Sequence, residues 1–115
     1  MMMTATDSAL PQPPPQPPAH QPVALRCTLT RTAGSPIAAE TIDLGATGMR
    51  LTSGRPLAVD ETVSFDLPFG EARIHGHARV VRQERPLVYA LRFDRLTQPM
   101  ARGVQDIVTE LAARA

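Results

Sequence analysis

The sequence predicts a small, mainly β protein, with five or six short antiparallel strands closed into a barrel and one C-terminal α-helix. Three observations predict it. Apolar and polar residues alternate in short runs from residue 23 to residue 93, the period of strands with one buried face. Breaks rich in glycine and proline separate those runs. Beyond residue 97 the apolar spacing becomes helical.

The chain opens on a stretch that cannot build a core. Seven of the 12 prolines fall between Pro11 and Pro22, where Leu10 is the lone branched aliphatic nearby. Each proline fixes its φ, removes a donor and biases its predecessor away from helix. We therefore expect a disordered, proline-rich leader over residues 1–22 and one domain over residues 23–115. Gln12-Pro13-Pro14-Pro15 and Pro14-Pro15-Gln16-Pro17 fit a loose proline-rich ligand pattern. The leader is then either a docking segment for a protein partner or a solvated tail.

In the first strand, residues 23–30, Val23, Leu25, Cys27 and Leu29 share the inward face. Ala33-Gly34-Ser35-Pro36 turns the chain into a second strand, residues 37–44, with Ile42 and Leu44 inward. Gly45-Ala46-Thr47-Gly48 ends it, and Met49 and Leu51 begin the third strand. After Thr52-Ser53-Gly54-Arg55-Pro56 comes the fourth, residues 62–67, with Val63, Phe65 and Leu67 on one face. Pro68-Phe69-Gly70-Glu71 reads as a hairpin connection. The fifth strand, residues 72–82, faces inward at Ile74, Gly76, Ala78 and Val80; the sixth, residues 87–93, at Leu87, Tyr89, Leu91 and Phe93. Met100, Val104, Ile107, Val108 and Leu111 then form the apolar stripe of the helix, with Thr97 as N-cap and Pro99 in the first turn. No internal repeat is visible.

Composition removes several function classes. Twelve arginines face 11 acidic residues, with no lysine, for a net charge of +1. Binding a nucleic-acid polymer demands a larger positive excess, and an aromatic content of 3 % cannot supply a stacking platform. No apolar run approaches the length that spans a bilayer, so no membrane insertion is expected. Met1-Met2-Met3-Thr4 lacks the basic start and apolar stretch of a secretory signal, which points to the cytoplasm. Cys27, the single cysteine, lies on an apolar strand face and reads as a small buried hydrophobe. No nucleophile, base and orienting acid stand in a recognisable arrangement, so no enzyme and no catalytic residue are expected.

The informative stretch is Thr41-Ile42-Asp43-Leu44-Gly45-Ala46-Thr47-Gly48-Met49-Arg50-Leu51. Gly45 and Gly48 permit positive φ or close backbone approach in a tight connection. Asp43 sets an acceptor-only carboxylate at its mouth, suited to an arginine or a guanine edge, and Arg50 follows on the next strand. An ordinary hairpin with an Asx-type bond contains the same ingredients.

That stretch resembles the PilZ domain signature, Asp/Asn-x-Ser-x-x-Gly before a short apolar strand. Asp43 and Gly48 match it, and Gly45 stands where the family has serine. Arg55-Pro56-Leu57, Arg79-Val80-Val81-Arg82 and Ala90-Leu91-Arg92-Phe93 resemble later family patterns in the family's order. The resemblance implies a six-stranded antiparallel barrel with a C-terminal helix that binds the second messenger cyclic di-GMP. It assigns ligand contact to Asp43, Gly45 and Gly48, with Arg50 beside them. The family's other element, Arg-x-x-x-Arg before the first strand, is missing: Pro17-Pro18-Ala19-His20-Gln21-Pro22 holds no arginine, and Arg26 and Arg31 are five apart. The expected function is a non-catalytic cyclic di-GMP signalling module with no cofactor. The alternative is an adaptor that binds no nucleotide and contacts a protein, in pilus, flagellar or other motility machinery, through the barrel face or the leader.

Two further clusters stay open. His75 and His77 share an outward face, as an exposed pair or an incomplete metal site; with no third ligand nearby, no metal is expected. Arg50, Arg73, Arg79, Arg82 and Arg92 all fall on strands, as an anion-binding surface or as solubilising charge. Asp60-Glu61 reads as a solvated corner.

Overall fold

The computed structural model describes residues 20–114. Residues 1–19, most of the expected leader, lie outside the described residues. The elements are β1 (Gln21–Pro22), β2 (Arg26–Thr30), β3 (Ile37–Leu44), β4 (Gly48–Ser53), β5 (Thr62–Phe69), β6 (Ala72–Arg85), β7 (Val88–Asp94) and α1 (Gln98–Arg114). Six strands close a ring in the order β3-β2-β5-β6-β7-β4, with β4 returning to β3, and every pairing is antiparallel. The two-residue β1 extends β3 beyond the reach of β2, pairing Gln21 with Leu44 and Pro22 with Asp43. It lies on the leader side of the expected boundary at residue 23. A proline is tolerated there because β1 is an edge, where a missing N–H costs no ladder bond.

The expected first strand is thus divided. Between β1 and β2 the backbone leaves the regular ladder, and the buried Thr41 hydroxyl bridges the gap. It accepts from the Leu25 N–H at 2.8 Å and donates to the Val23 carbonyl. The predicted alternation survives: Cys27 and Leu29 are buried and Val23 and Leu25 half-buried.

In β3 the inward set differs from expectation. Ile37, Ala39 and Thr41 face the core, Ile42 is half-buried, and inward packing resumes at Leu44. The cause is a register shift between Thr41 and Asp43 against β4. One inserted residue exchanges the two faces of a strand. Asp43 consequently faces outward.

Two register shifts in β6, at Val80/Arg82 and Gln83/Arg85, carry that strand three residues past its expected end. Val81, at the first shift, follows the buried Val80 onto the outer face and is 44 % exposed. The β6–β7 turn places Pro86 and Leu87 between the paired Arg85 and Val88, with Leu87 at φ 65°. Leu87 is therefore a turn residue rather than the start of the last strand.

Leu29, Leu44, Met49, Leu51, Leu67, Val80 and Tyr89 fill the barrel with almost no exposure. Phe65 and Phe93 stack at 5.2 Å between centroids, and the Tyr89 hydroxyl accepts from the Leu57 N–H at 2.8 Å, tying the β4–β5 loop to the core. Thr97 caps α1 as expected, its hydroxyl accepting from the Met100 N–H at 3.4 Å. Val104, Ile107 and Val108 are buried, and Gly103 lets α1 close onto Ile74 of β6, where a Cβ would come within 2.4 Å. Cys27 is buried as expected, and burial pushes its thiol up to about 12, leaving it un-ionised at neutral pH.

Candidate functional site

The β3–β4 turn and the neighbouring outer face of β4, β7 and β6 form the site. The bulge that turns Asp43 outward sets it directly opposite Arg50. Arg50 donates to Asp43 Oδ2 from Nε at 2.7 Å and from Nη2 at 2.6 Å. Its Nη1 meets Glu84 Oε1 at 3.0 Å, and Arg82 holds the other Glu84 oxygen at 2.9 Å. The other Asp43 oxygen, Oδ1, meets His20 Nδ1 at 2.8 Å. An ionised carboxylate only accepts, so this contact puts the histidine proton on Nδ1. Burial pushes the Asp43 carboxyl up, but the bonds from Arg50 and His20 outweigh it and hold the group below the usual carboxylate range. The bond from Arg50, with help from Arg82, likewise holds Glu84 low.

Both glycines of the turn serve close approach, each against a different neighbour. The Gly45 N–H bonds the Gly48 carbonyl at 2.9 Å, closing the turn. A Cβ on Gly48 would lie 2.2 Å from the Leu91 carbonyl oxygen of β7, which is backbone and cannot yield. A Cβ on Gly45 would lie 2.2 Å from the His20 ring. The imidazole occupies the volume that a side chain at position 45 would take.

Asp43, Gly48, Arg50, Arg82, Ala90 and Arg92 help line a surface cleft of about 540 Å³, with His20 at its edge. Small residues, Gly48 and Ala90, keep the floor low between the arginines. The cleft offers a fixed acceptor beside planar, permanently charged donors, a combination that can take a base edge and a phosphate together.

The structure brings Asp43, Gly45, Gly48 and Arg50 together at one turn and adds four partners. Glu84 reaches the site only through pairing registers that local sequence does not reveal, and the same registers bring in Arg82 and Arg92 from the five strand arginines that the sequence offers as an anion-binding surface. His20 carried a signal, being the one titratable residue between Leu10 and Pro22. His75 and His77 are exposed as expected, and among the described residues no three metal-ligating side chains cluster. Glu61 corrects the expected solvated corner. Its carboxylate is gripped by Arg31 at 2.6 and 3.1 Å and accepts from the Ala58 N–H at 2.9 Å. Among the described residues no helix is long and apolar enough to cross a membrane.

A closed six-stranded barrel with an acidic turn, an arginine-bearing outer cleft and one C-terminal helix defines a small β-barrel domain. The family model for the PilZ domain matches residues 19–110, and the chain belongs to that family of cyclic di-GMP receptor domains, which are generally non-catalytic. Solved structures agree on the fold. The PilZ domain of CeSA from a cellulose-synthesizing bacterium superposes with a TM-score of 0.67 at 15% identity, covering 82% of this chain and 98% of that one. The Bacillus subtilis inhibitor of motility MotI/DgrA superposes with a TM-score of 0.72 at 11% identity, covering 87% of this chain and 52% of that one. No curated protein sequence matches significantly.

Proposed function

We propose that the cleft beside Asp43 binds cyclic di-GMP and that the barrel acts as a non-catalytic signalling module in the cytoplasm. The observation that carries this reading is the fixed Asp43 carboxylate, oriented by Arg50 at the rim of a cleft whose other charged walls are arginines. Asp43 accepts from the guanine edge, Gly48 lets β4 lie close against β7 at the floor of the cleft, and Gly45 admits the His20 ring that meets the other side of the carboxylate. Arg50 holds the carboxylate in place. No residue acts on a bond, and no cofactor is needed.

Two observations favour a second reading, in which the barrel is a nucleotide-free adaptor for a protein partner. Both Asp43 oxygens already have protein partners, and residues 17–22 supply no arginine. Calorimetric titration of the folded chain with cyclic di-GMP, repeated with Asp43→Asn, separates the two. Micromolar binding that weakens at least tenfold in the variant supports the receptor. No heat up to high micromolar ligand overturns it, and the adaptor reading then stands.

A further inference from the structure

The outer face beside the cleft carries two rows of residues with opposite electrostatic character. One row runs Asp43, Arg50, Ala90 and Arg82 across β3, β4, β7 and β6. Its charges are matched, since Asp43 and Glu84 take up both guanidinium groups. The next row runs Gly48, Arg92, Arg79 and Thr62 across β4, β7, β6 and β5. Arg92 and Arg79 are directly opposite, so their side chains leave the same face, and both are exposed. Among the described residues neither has a carboxylate within ion-pair distance, whereas Arg31, Arg50, Arg73, Arg82 and Arg114 each do. Asp60 and Asp94 share a small adjoining cleft with them without pairing.

Like charges placed directly opposite on neighbouring strands oppose pairing. An anion seated between them reverses the sign, and two forked guanidinium groups present the donors a phosphate's oxygens require. The geometry leaves room for it. Gly48 offers no side chain on the other flank of Arg92, and Arg92 itself lines the Asp43 cleft.

We propose that Arg79 and Arg92 form a phosphate clamp. It grips a phosphodiester of the cyclic dinucleotide whose guanine reaches Asp43. The assignment rests on the receptor reading above and supplies the phosphate-binding cations that the segment before β1 lacks. Arg50 and Arg82 are less suited to the task because their donors are committed to Asp43 and Glu84.

The test titrates the full chain with cyclic di-GMP as wild type, Arg79→Gln, Arg92→Gln and, as a charge control on the helix, Arg102→Gln. In parallel, the arginine side-chain Nε–H resonances of the wild type are followed by NMR with inorganic pyrophosphate as probe. Each clamp variant should lose roughly 10- to 100-fold in affinity, the range for one charge-assisted bond, while Arg102→Gln stays within twofold. If wild type binds and both clamp variants bind within twofold of it, the clamp is wrong and the receptor reading survives. If wild type does not bind the dinucleotide, the receptor reading fails and pyrophosphate decides the clamp. Selective shifts of Arg79 and Arg92 then keep it as a phosphate site. No shifts, or equal shifts across all the arginines, overturn it.

Discussion

Two carboxylates, Asp43 and Glu61, are each gripped by an arginine through short paired contacts, yet they build different things. Glu61 and Arg31 close a corner: Arg31 also donates to the Pro56 carbonyl, and Glu61 accepts from the Ala58 N–H. The bonds of that cluster all end on the segment between β4 and β5. Asp43 and Arg50 stand at the rim of a cleft floored by glycine and alanine. An arginine–carboxylate pair is therefore no mark of function by itself; the empty space beside it is what distinguishes the two.

The sharpest way to break the Asp43 side is steric. Gly48→Ala forces a Cβ against the Leu91 carbonyl oxygen, 2.2 Å away, and the β4–β7 ladder must part to admit it. We expect a loss of about 3 kcal/mol, the upper end for overpacking, read by urea denaturation. A loss under about 0.5 kcal/mol would mean that the strands yield easily there.

Charge removal comes next. Asp43→Asn keeps the shape but leaves Arg50 with Glu84 as its remaining anion, and should cost about 2 kcal/mol as a largely buried charged bond is lost. Glu61→Gln acts on a more exposed carboxylate and should cost about 1 kcal/mol. Ligand affinity should follow the opposite logic to stability at the corner: Glu61→Gln destabilises yet leaves cyclic di-GMP binding unchanged. Equal effects of the two variants on binding would erase the distinction between cleft and corner.

Acid titration sharpens the same contrast. Asp43, Glu61 and Glu84 all have folded pKa values held below the usual carboxylate range by arginine partners. Groups with depressed folded pKa values stabilise the native state above their unfolded values, near pH 4. That stability is lost as pH falls through the folded values, because the unfolded chain takes up protons first. Stability measured from pH 6 to pH 2 should therefore drop, and the slope below pH 4 should be shallower in the Asp43→Asn, Glu61→Gln double variant. An unchanged slope would show that other carboxylates govern acid unfolding.

Much of this was legible in the sequence, for a physical reason. Strand alternation and the helical stripe follow from burial of one face, so Val63, Phe65, Leu67, Ala78, Val80 and Val104 fall inside as read. Asp43, Gly45, Gly48 and Arg50 are local to one turn, so their meeting needed only a hairpin. Bulges are what escaped. The register shift at Ile42 changed which residues of β3 face the core, and the shifts after Val80 accompany Glu84's approach to Arg50. A bulge costs little and leaves no composition signal, whereas its effect on facing is complete. His20 escaped differently, because proline-rich surroundings suggested a segment without fixed contacts.

The smallest expected effect concerns that histidine. Where the PilZ signature has serine, this chain has Gly45, and the His20 ring fills the space. Gly45→Ser should evict the ring, since a Cβ would stand 2.2 Å from it, and His20, with its side chain 44% exposed, can move into solvent. The incoming hydroxyl is a replacement donor beside Asp43, so net stability should change by less than about 1 kcal/mol. A double-mutant cycle with His20→Ala measures the coupling. If the ring and the glycine act as a unit, His20→Ala costs stability in the parent and nothing in the Gly45→Ser background. Equal costs in both backgrounds would mean that the serine and the ring fit together, and that the glycine was never making room for the histidine.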